Sequence, residues 1–82
     1  MNKWYVYIVE CSDGSLYTGI STDVQRRLLE HNFSSKGAKY TRSKRPVRLV
    51  WSIEVADRSE ASIEEYRIKK LSRKKKLVLI KS

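Results

Sequence analysis

Acidic residues are scarce in this chain. Nine Asp and Glu stand against 18 Lys and Arg, a formal net charge of +9 over 82 residues. Cysteine is rarer still. Cys11 is alone, which excludes an intrachain disulfide and a thiolate metal cluster. It falls in a strand-like stretch, where a free cysteine packs as a small hydrophobe, and a reducing, cytoplasmic setting is the expectation. No apolar run approaches a membrane span, and the first residues show no signal-peptide pattern. There are only three glycines and one proline, with no repeats or low-complexity tracts. A hydrophobic fraction of 40% argues against disorder. One small domain over residues 1–82 is expected, with a modest core.

The basic residues are clustered. Lys36, Lys39, Arg42, Lys44, Arg45 and Arg48 run without an intervening acid, and Arg67, Lys69, Lys70, Arg73, Lys74, Lys75 and Lys76 form a second block. Two such blocks point to a polyanion, most often nucleic acid. A membrane surface fits less well, because neither block joins an amphipathic helix rich in Trp, Phe or Leu. Charge alone leaves DNA and RNA, binding and cutting, all open.

Residues 3–11 (KWYVYIVEC) read as a strand and residues 15–20 (SLYTGI) as its return, with turn chemistry at Ser12-Asp13-Gly14 between them. Thr22 to Gln25 reads as a capping box opening a helix to about Asn32, with Val24 and Leu28 turned inward. Residues 33–46 form a basic loop. In residues 47–55, Val47, Leu49, Trp51, Ile53 and Val55 alternate on one face of a third strand. A second helix starts at Asp57 or Ser59 and runs to about Leu71. Ser72 caps a last helix, RKKKLVLIK. The expected class is α+β: a small three-stranded sheet flanked by helices, in the order β-β-α-β-α-α.

Two hairpin registers compete. A two-residue loop at Asp13-Gly14 places Tyr7 and Tyr17 on opposite faces, because side chains alternate. A three-residue loop, with Gly14 at positive φ, pairs Tyr7 with Gly19 and Val9 with Tyr17. Tyr5, Tyr7 and Tyr17 then share one face, and Val6, Ile8, Leu16 and Ile20 form a clean apolar row on the other. That row favours the second register, and Gly19 would leave open space beside Tyr7.

Arg27 and His31 lie one turn apart on the first helix. Alone, they are compatible with an exposed pair on a charged helix. Glu64 and Glu65 sit on the second, and periodicity does not choose between them. Taken in order, Tyr5-Val6-Tyr7, Tyr17-Thr18-Gly19, Arg27, His31 and a later helical acid resemble the GIY-YIG nuclease superfamily. The likeness is greatest to its small stand-alone bacterial branch, in YVYIVECSDGSLYTGISTDVQRRLLEHN, GAKYTR, RPVRLV and EYRIKKLSR, and it spans nearly the whole chain.

The resemblance implies a metal-dependent phosphodiesterase using Mg²⁺ or Mn²⁺. It makes Tyr7 and Tyr17 the paired active-site tyrosines and Arg27 the phosphate-binding arginine. His31 takes the polar position one turn on. Glu65 becomes the metal-holding carboxylate, within Glu65-Tyr66-Arg67-Ile68-Lys69. Gly-Ile is replaced by Tyr5-Val6. The asparagine that some members carry near the domain end has no counterpart, since the only asparagines are Asn2 and Asn32. Either Tyr7 or His31 can serve as the base. Lys36, Lys39, Tyr40, Arg42, Lys44 and Arg45 are the expected grip on DNA, with Tyr40 stacking on an unpaired base. The alternatives are a nucleic-acid-binding module on the same fold with little or no hydrolysis, and a general basic RNA-binding protein.

Overall fold

The computed structural model describes residues 3–82, so Asn2 lies outside the described residues. Strands β1 (Trp4–Glu10), β2 (Leu16–Ser21) and β3 (Arg48–Val55) form one antiparallel sheet in the order β2-β1-β3. Helix α1 (Val24–Phe33) follows the hairpin, α2 (Lys39–Arg42) is one turn within the basic stretch, and α3 (Arg58–Lys69) and α4 (Arg73–Lys81) close the chain. The expected α+β order is present, with α2 as an addition to the stretch read as loop.

The hairpin adopts the three-residue register. Tyr7 faces Gly19 and Val9 faces Tyr17. The loop is closed by Cys11 N–H on the Ser15 carbonyl at 2.8 Å and Gly14 N–H on the Cys11 carbonyl at 2.9 Å. Gly14 stands at φ +84°, a conformation that side chains resist.

Central strand β1 is covered on both sides. On one face Val6 and Ile8 pack with Ala61 and Ile68 of α3, all fully buried, joined by Leu16, Ile20, Trp51, Ile53 and Leu79. Full burial of each Val or Ile there contributes roughly 1.5–3 kcal/mol. On the other face Tyr7, Val9, Cys11 and Val47 pack with Tyr17, Leu49, and Val24 and Leu28 of α1. Among the described residues, no helix is long and apolar enough to cross a membrane.

Two local expectations are corrected. The five apolar residues of the third strand do not share a face. Ile8 pairs with Trp51 but Val9 with Leu49, so Val50 is an extra residue at a bulge. Val47 and Leu49 join the α1 side, while Trp51, Ile53 and Val55 join the α3 side. The cap of α1 is Asp23 rather than Thr22. Its carboxylate accepts the Arg26 N–H at 3.0 Å, and Ser21 Oγ accepts the Asp23 N–H at 2.9 Å, fixing the entry angle.

Candidate active site

β2 is an edge strand, and α1 and α3 reach its neighbourhood from opposite faces of the sheet. Tyr7 projects from β1 over Gly19, where a Cβ would lie 2.5 Å from the Tyr7 hydroxyl and 2.7 Å from Cζ. The space expected beside Tyr7 is therefore filled by Tyr7 itself, and only glycine admits it. The ring is 2% exposed.

The Tyr7 hydroxyl lies 2.8 Å from His31 Nε2. His31 is fully buried, not part of an exposed helical pair. Its ring meets Tyr7 and Tyr17 edge-on, at centroid distances of 5.9 and 5.4 Å. On the far side, His31 Nδ1 lies 2.9 Å from the Thr41 hydroxyl, which donates to the Ala38 carbonyl at 3.0 Å. That bond uses the single Thr41 hydrogen, so Nδ1–H donates to Thr41 and the bare Nε2 accepts the Tyr7 O–H. The Ala38 N–H, 3.4 Å from Nδ1, is too long to compete.

Burial, then the Tyr17 hydroxyl, pushes the Tyr7 hydroxyl up to about 12; Arg27 opposes the shift and Glu65 adds to it. Burial, then the Arg27 charge, pulls His31 down to about 4. Both groups are thus neutral near pH 7. The His31 shift links folding to pH. The unfolded chain takes up a proton below about 6.5 that the folded chain refuses until about 4. Stability should be full above pH 6.5 and fall by ~2–3 kcal/mol as pH drops to 4. Urea midpoints measured across that range check this, and His31→Leu should flatten the histidine's part of the slope.

Arg27 leaves α1 on the same side. Its Nη1 donates to Glu30 Oε1 at 2.9 Å and to the Lys36 carbonyl at 2.7 Å. Two further arginines hold the same turn. Arg42 Nη2 donates to the Ser35 carbonyl at 2.9 Å, and Arg45 Nη2 to the Ser34 carbonyl. Arg45 Nε also donates to the His31 carbonyl. Arg45 therefore satisfies carbonyls at the negative end of α1. Of the residues expected to grip DNA, Lys36, Lys39, Tyr40 and Arg42 are exposed. Lys44 is drawn to Asp13 at 3.6 Å and sits 3.8 Å over the Tyr40 ring.

From α3, Glu65 is near enough to Tyr7 to raise its pKa, whereas Glu64 is clasped by Arg67 through bonds of 3.1 and 2.8 Å. Glu65 pairs with Lys69 at 3.2 Å, and Lys69 Nζ lies 5.9 Å from the Tyr17 ring centroid. Tyr7, Tyr17, Arg27, His31 and Glu65 thus converge from β1, β2, α1 and α3.

A family model for the GIY-YIG catalytic domain matches residues 3–77. The chain belongs to the GIY-YIG family. A UPF0213 protein of Desulfotalea psychrophila is 60% identical over 79 residues, covering 96% of this chain and 72% of that one. One from Staphylococcus saprophyticus is 52% identical over 80 residues, covering 98% and 96%. The solution NMR structure of the UPF0213 protein of Bacillus halodurans is similar at TM-score 0.62 and 52% identity, over 96% of this chain and 83% of that one. An NMR structure of an E. faecalis protein is similar at TM-score 0.67 and 42% identity, over 99% and 85%.

Three residues of this candidate site were not singled out from sequence. Thr41 receives His31, Glu30 holds Arg27, and Lys69 pairs Glu65. The Glu30 and Lys69 contacts were available from their i,i+3 and i,i+4 spacing. Thr41 lies within GAKYTR, but its burial against His31 depends on the one-turn α2.

Proposed function

We propose that this chain is a metal-dependent endonuclease that hydrolyses phosphodiester bonds in DNA, directed to single strands or branches with little sequence preference, and working in the cytoplasm. The convergence of Tyr7, Tyr17, Arg27 and Glu65 at the β2 edge carries the reading. A phosphodiester needs a planar cation, a proton acceptor for the attacking water and a charge sink for the leaving oxygen. Arg27 supplies the first, oriented by Glu30 and the Lys36 carbonyl.

His31 has no exposed surface, and its Nε2 is occupied by the Tyr7 hydroxyl, so it acts through Tyr7. The relay then has one direction. The Tyr7 oxygen takes a proton from water as its own hydrogen passes to His31, and Thr41 fixes the tautomer that leaves Nε2 free. Tyr17 flanks the same histidine edge-on and orients the attacked phosphate.

Glu65 would hold the divalent ion, Mg²⁺ or Mn²⁺. Among the described residues, no cluster of three His, Cys, Asp or Glu side chains encloses a metal. One carboxylate suits a hard ion that keeps most of its waters and does not suit zinc. When bound, such an ion stabilises the leaving alkoxide.

Tyr40 supports the substrate reading. Its ring is stacked on Tyr17 at 5.7 Å and 25° and is 43% exposed. An unpaired base that displaces Lys44, 3.8 Å over the Tyr40 ring, can extend that stack beside the site. Affinity for single-stranded DNA should fall steeply with salt. Lys36→Ala with Lys39→Ala should lower the slope of log affinity against log salt by about 1.4, at ~0.7 per phosphate contact. Arg45→Ala should instead cost ~1–3 kcal/mol of stability, by orphaning α1 carbonyls. Filter binding and thermal melting separate the two effects.

The direct test incubates pure protein with labelled single-stranded, duplex and branched DNA, with and without Mg²⁺ or Mn²⁺. Binding without cleavage under any divalent metal overturns the enzyme. It favours instead a DNA-binding module, the second reading supported by the Glu65–Lys69 ion pair.

A further inference from the structure

Helix α1 covers only part of its sheet face. Arg27 and His31 point to the β2 side, while Asn32 leans to the β3 side and clasps the Val47 backbone through bonds of 2.9 and 2.7 Å. Between the start of α1 and β3 lies an open hollow of about 330 Å³. That is the small end of ligand pockets, roughly 300–1,000 Å³. Its floor is apolar and aromatic, from Tyr5, Val24 and Leu49. Its rim is polar, from Thr22, Asp23, Gln25 and Ser52.

We propose that this hollow is a nucleobase subsite, taking the base of a nucleotide one or two steps from the cleaved phosphate. The inference rests on the nuclease reading and names part of its substrate. In a chain of charge +9, no Lys or Arg lines the hollow and one carboxylate does. The carboxylate, with no cation beside it, disfavours phosphate and favours a neutral ring bearing N–H donors. The Tyr5 ring offers a stacking surface, and the Gln25 amide, the two hydroxyls and Asp23 offer both donors and acceptors to a base edge. Asp23 spends one oxygen on the helix cap.

The placement fits one strand. The hollow and Arg27 lie on opposite flanks of α1, separated by about one helix diameter, ~10 Å. Arg26 stands on the solvent crest between them. Its side chain is 60% exposed and only loosely paired, 3.9 Å from Glu30. A strand crossing the first turn of α1 therefore meets the base subsite, then Arg26 at the intervening phosphate, then Arg27.

The test uses a short single-stranded oligonucleotide in which one abasic position is moved along the strand. Binding is measured in EDTA, so cleavage is not needed. A Tyr40→Ala background removes stacking at the other site. Affinity should still fall about tenfold at one abasic position, the size of one lost base stack. Ser52→Phe, which fills the hollow from an exposed strand position, should bind the intact strand as weakly as the abasic one. Gln25→Ala, on the exposed helix surface, should remove part of the effect without disturbing packing. Deoxynucleosides should shift the amide resonances of Thr22, Gln25 and Ser52. A flat abasic scan, or a sensitivity that survives both Ser52→Phe and Gln25→Ala, overturns the subsite. Base-dependent binding here by a protein that cuts nothing would remove the nuclease reading and leave the subsite standing.

Discussion

Glu65→Gln should keep the fold, retain or tighten DNA binding, and lower cleavage by about 10²–10³. The fold survives because Glu and Gln have similar helix propensities, and because Glu65 lies on a half-buried flank of α3 that packs through Ala61 and Ile68. Binding survives because a negative charge near phosphate is lost. Cleavage falls because the change removes the carboxylate proposed to hold the divalent ion. It also frees Lys69, whose ammonium lies 3.2 Å from Glu65. Glu64→Gln is the control. Its bidentate partner is Arg67 at an exposed position, so its loss should cost well under 1 kcal/mol of stability and leave cleavage unchanged. Arg27→Ala should abolish cleavage and weaken substrate binding too. Full activity in Glu65→Gln with loss in Glu64→Gln would move the assignment one residue back. Single-turnover cleavage alongside binding curves distinguishes these outcomes.

The separation of Glu64 from Glu65 shows how far residue order reaches. Helical spacing left them equivalent, and the ordered resemblance preferred Glu65. In three dimensions Glu65 pairs with Lys69, whose ammonium lies beside the Tyr17 ring, while Glu64 turns to Arg67. The hairpin was legible for a stronger reason. A one-residue slip would have moved Leu16 and Ile20 off the face they share with Val6 and Ile8, so turn chemistry and apolar pattern agreed on one register. The bulge at Val50 was hidden because the strand is apolar at Val47, Leu49, Val50, Trp51, Ile53 and Val55. A uniform alternation fits those residues as well as a break does. Likewise, α2 is four polar and basic residues whose cap, Ala38, has no side-chain bond. What holds it is the contact of Thr41 with a histidine ten residues earlier. Arg45 was read by its charge, yet its surroundings are carbonyls. A basic residue facing carbonyl oxygens and one facing solvent look alike in sequence.

Gly19→Ala should be damaging to both stability and activity. Its Cβ would lie 2.5 Å from the Tyr7 hydroxyl, 2.7 Å from Cζ and 3.1 Å from Cε2. The atoms it meets belong to a rigid ring that is 2% exposed and tied to His31, so the tyrosine has little freedom to yield. Moving that ring off Gly19 strains a packed core, at a cost of ~1–3 kcal/mol. It also pulls the hydroxyl away from Nε2, and a displacement near 1 Å at a reacting group costs about 10²-fold in rate. Tyr7→Phe separates the two consequences. It removes the oxygen, the atom in closest conflict, and leaves His31 Nε2 without its partner. In the Gly19→Ala, Tyr7→Phe double variant the steric loss should be partly relieved, giving a favourable coupling of at least ~0.5 kcal/mol in denaturant unfolding. Cleavage should stay as low as in Tyr7→Phe alone, because the proton path through the hydroxyl is gone in both. Additive stability losses would mean that the ring accommodates the added methyl group by another route. Undiminished cleavage in Tyr7→Phe would remove that hydroxyl from the chemistry.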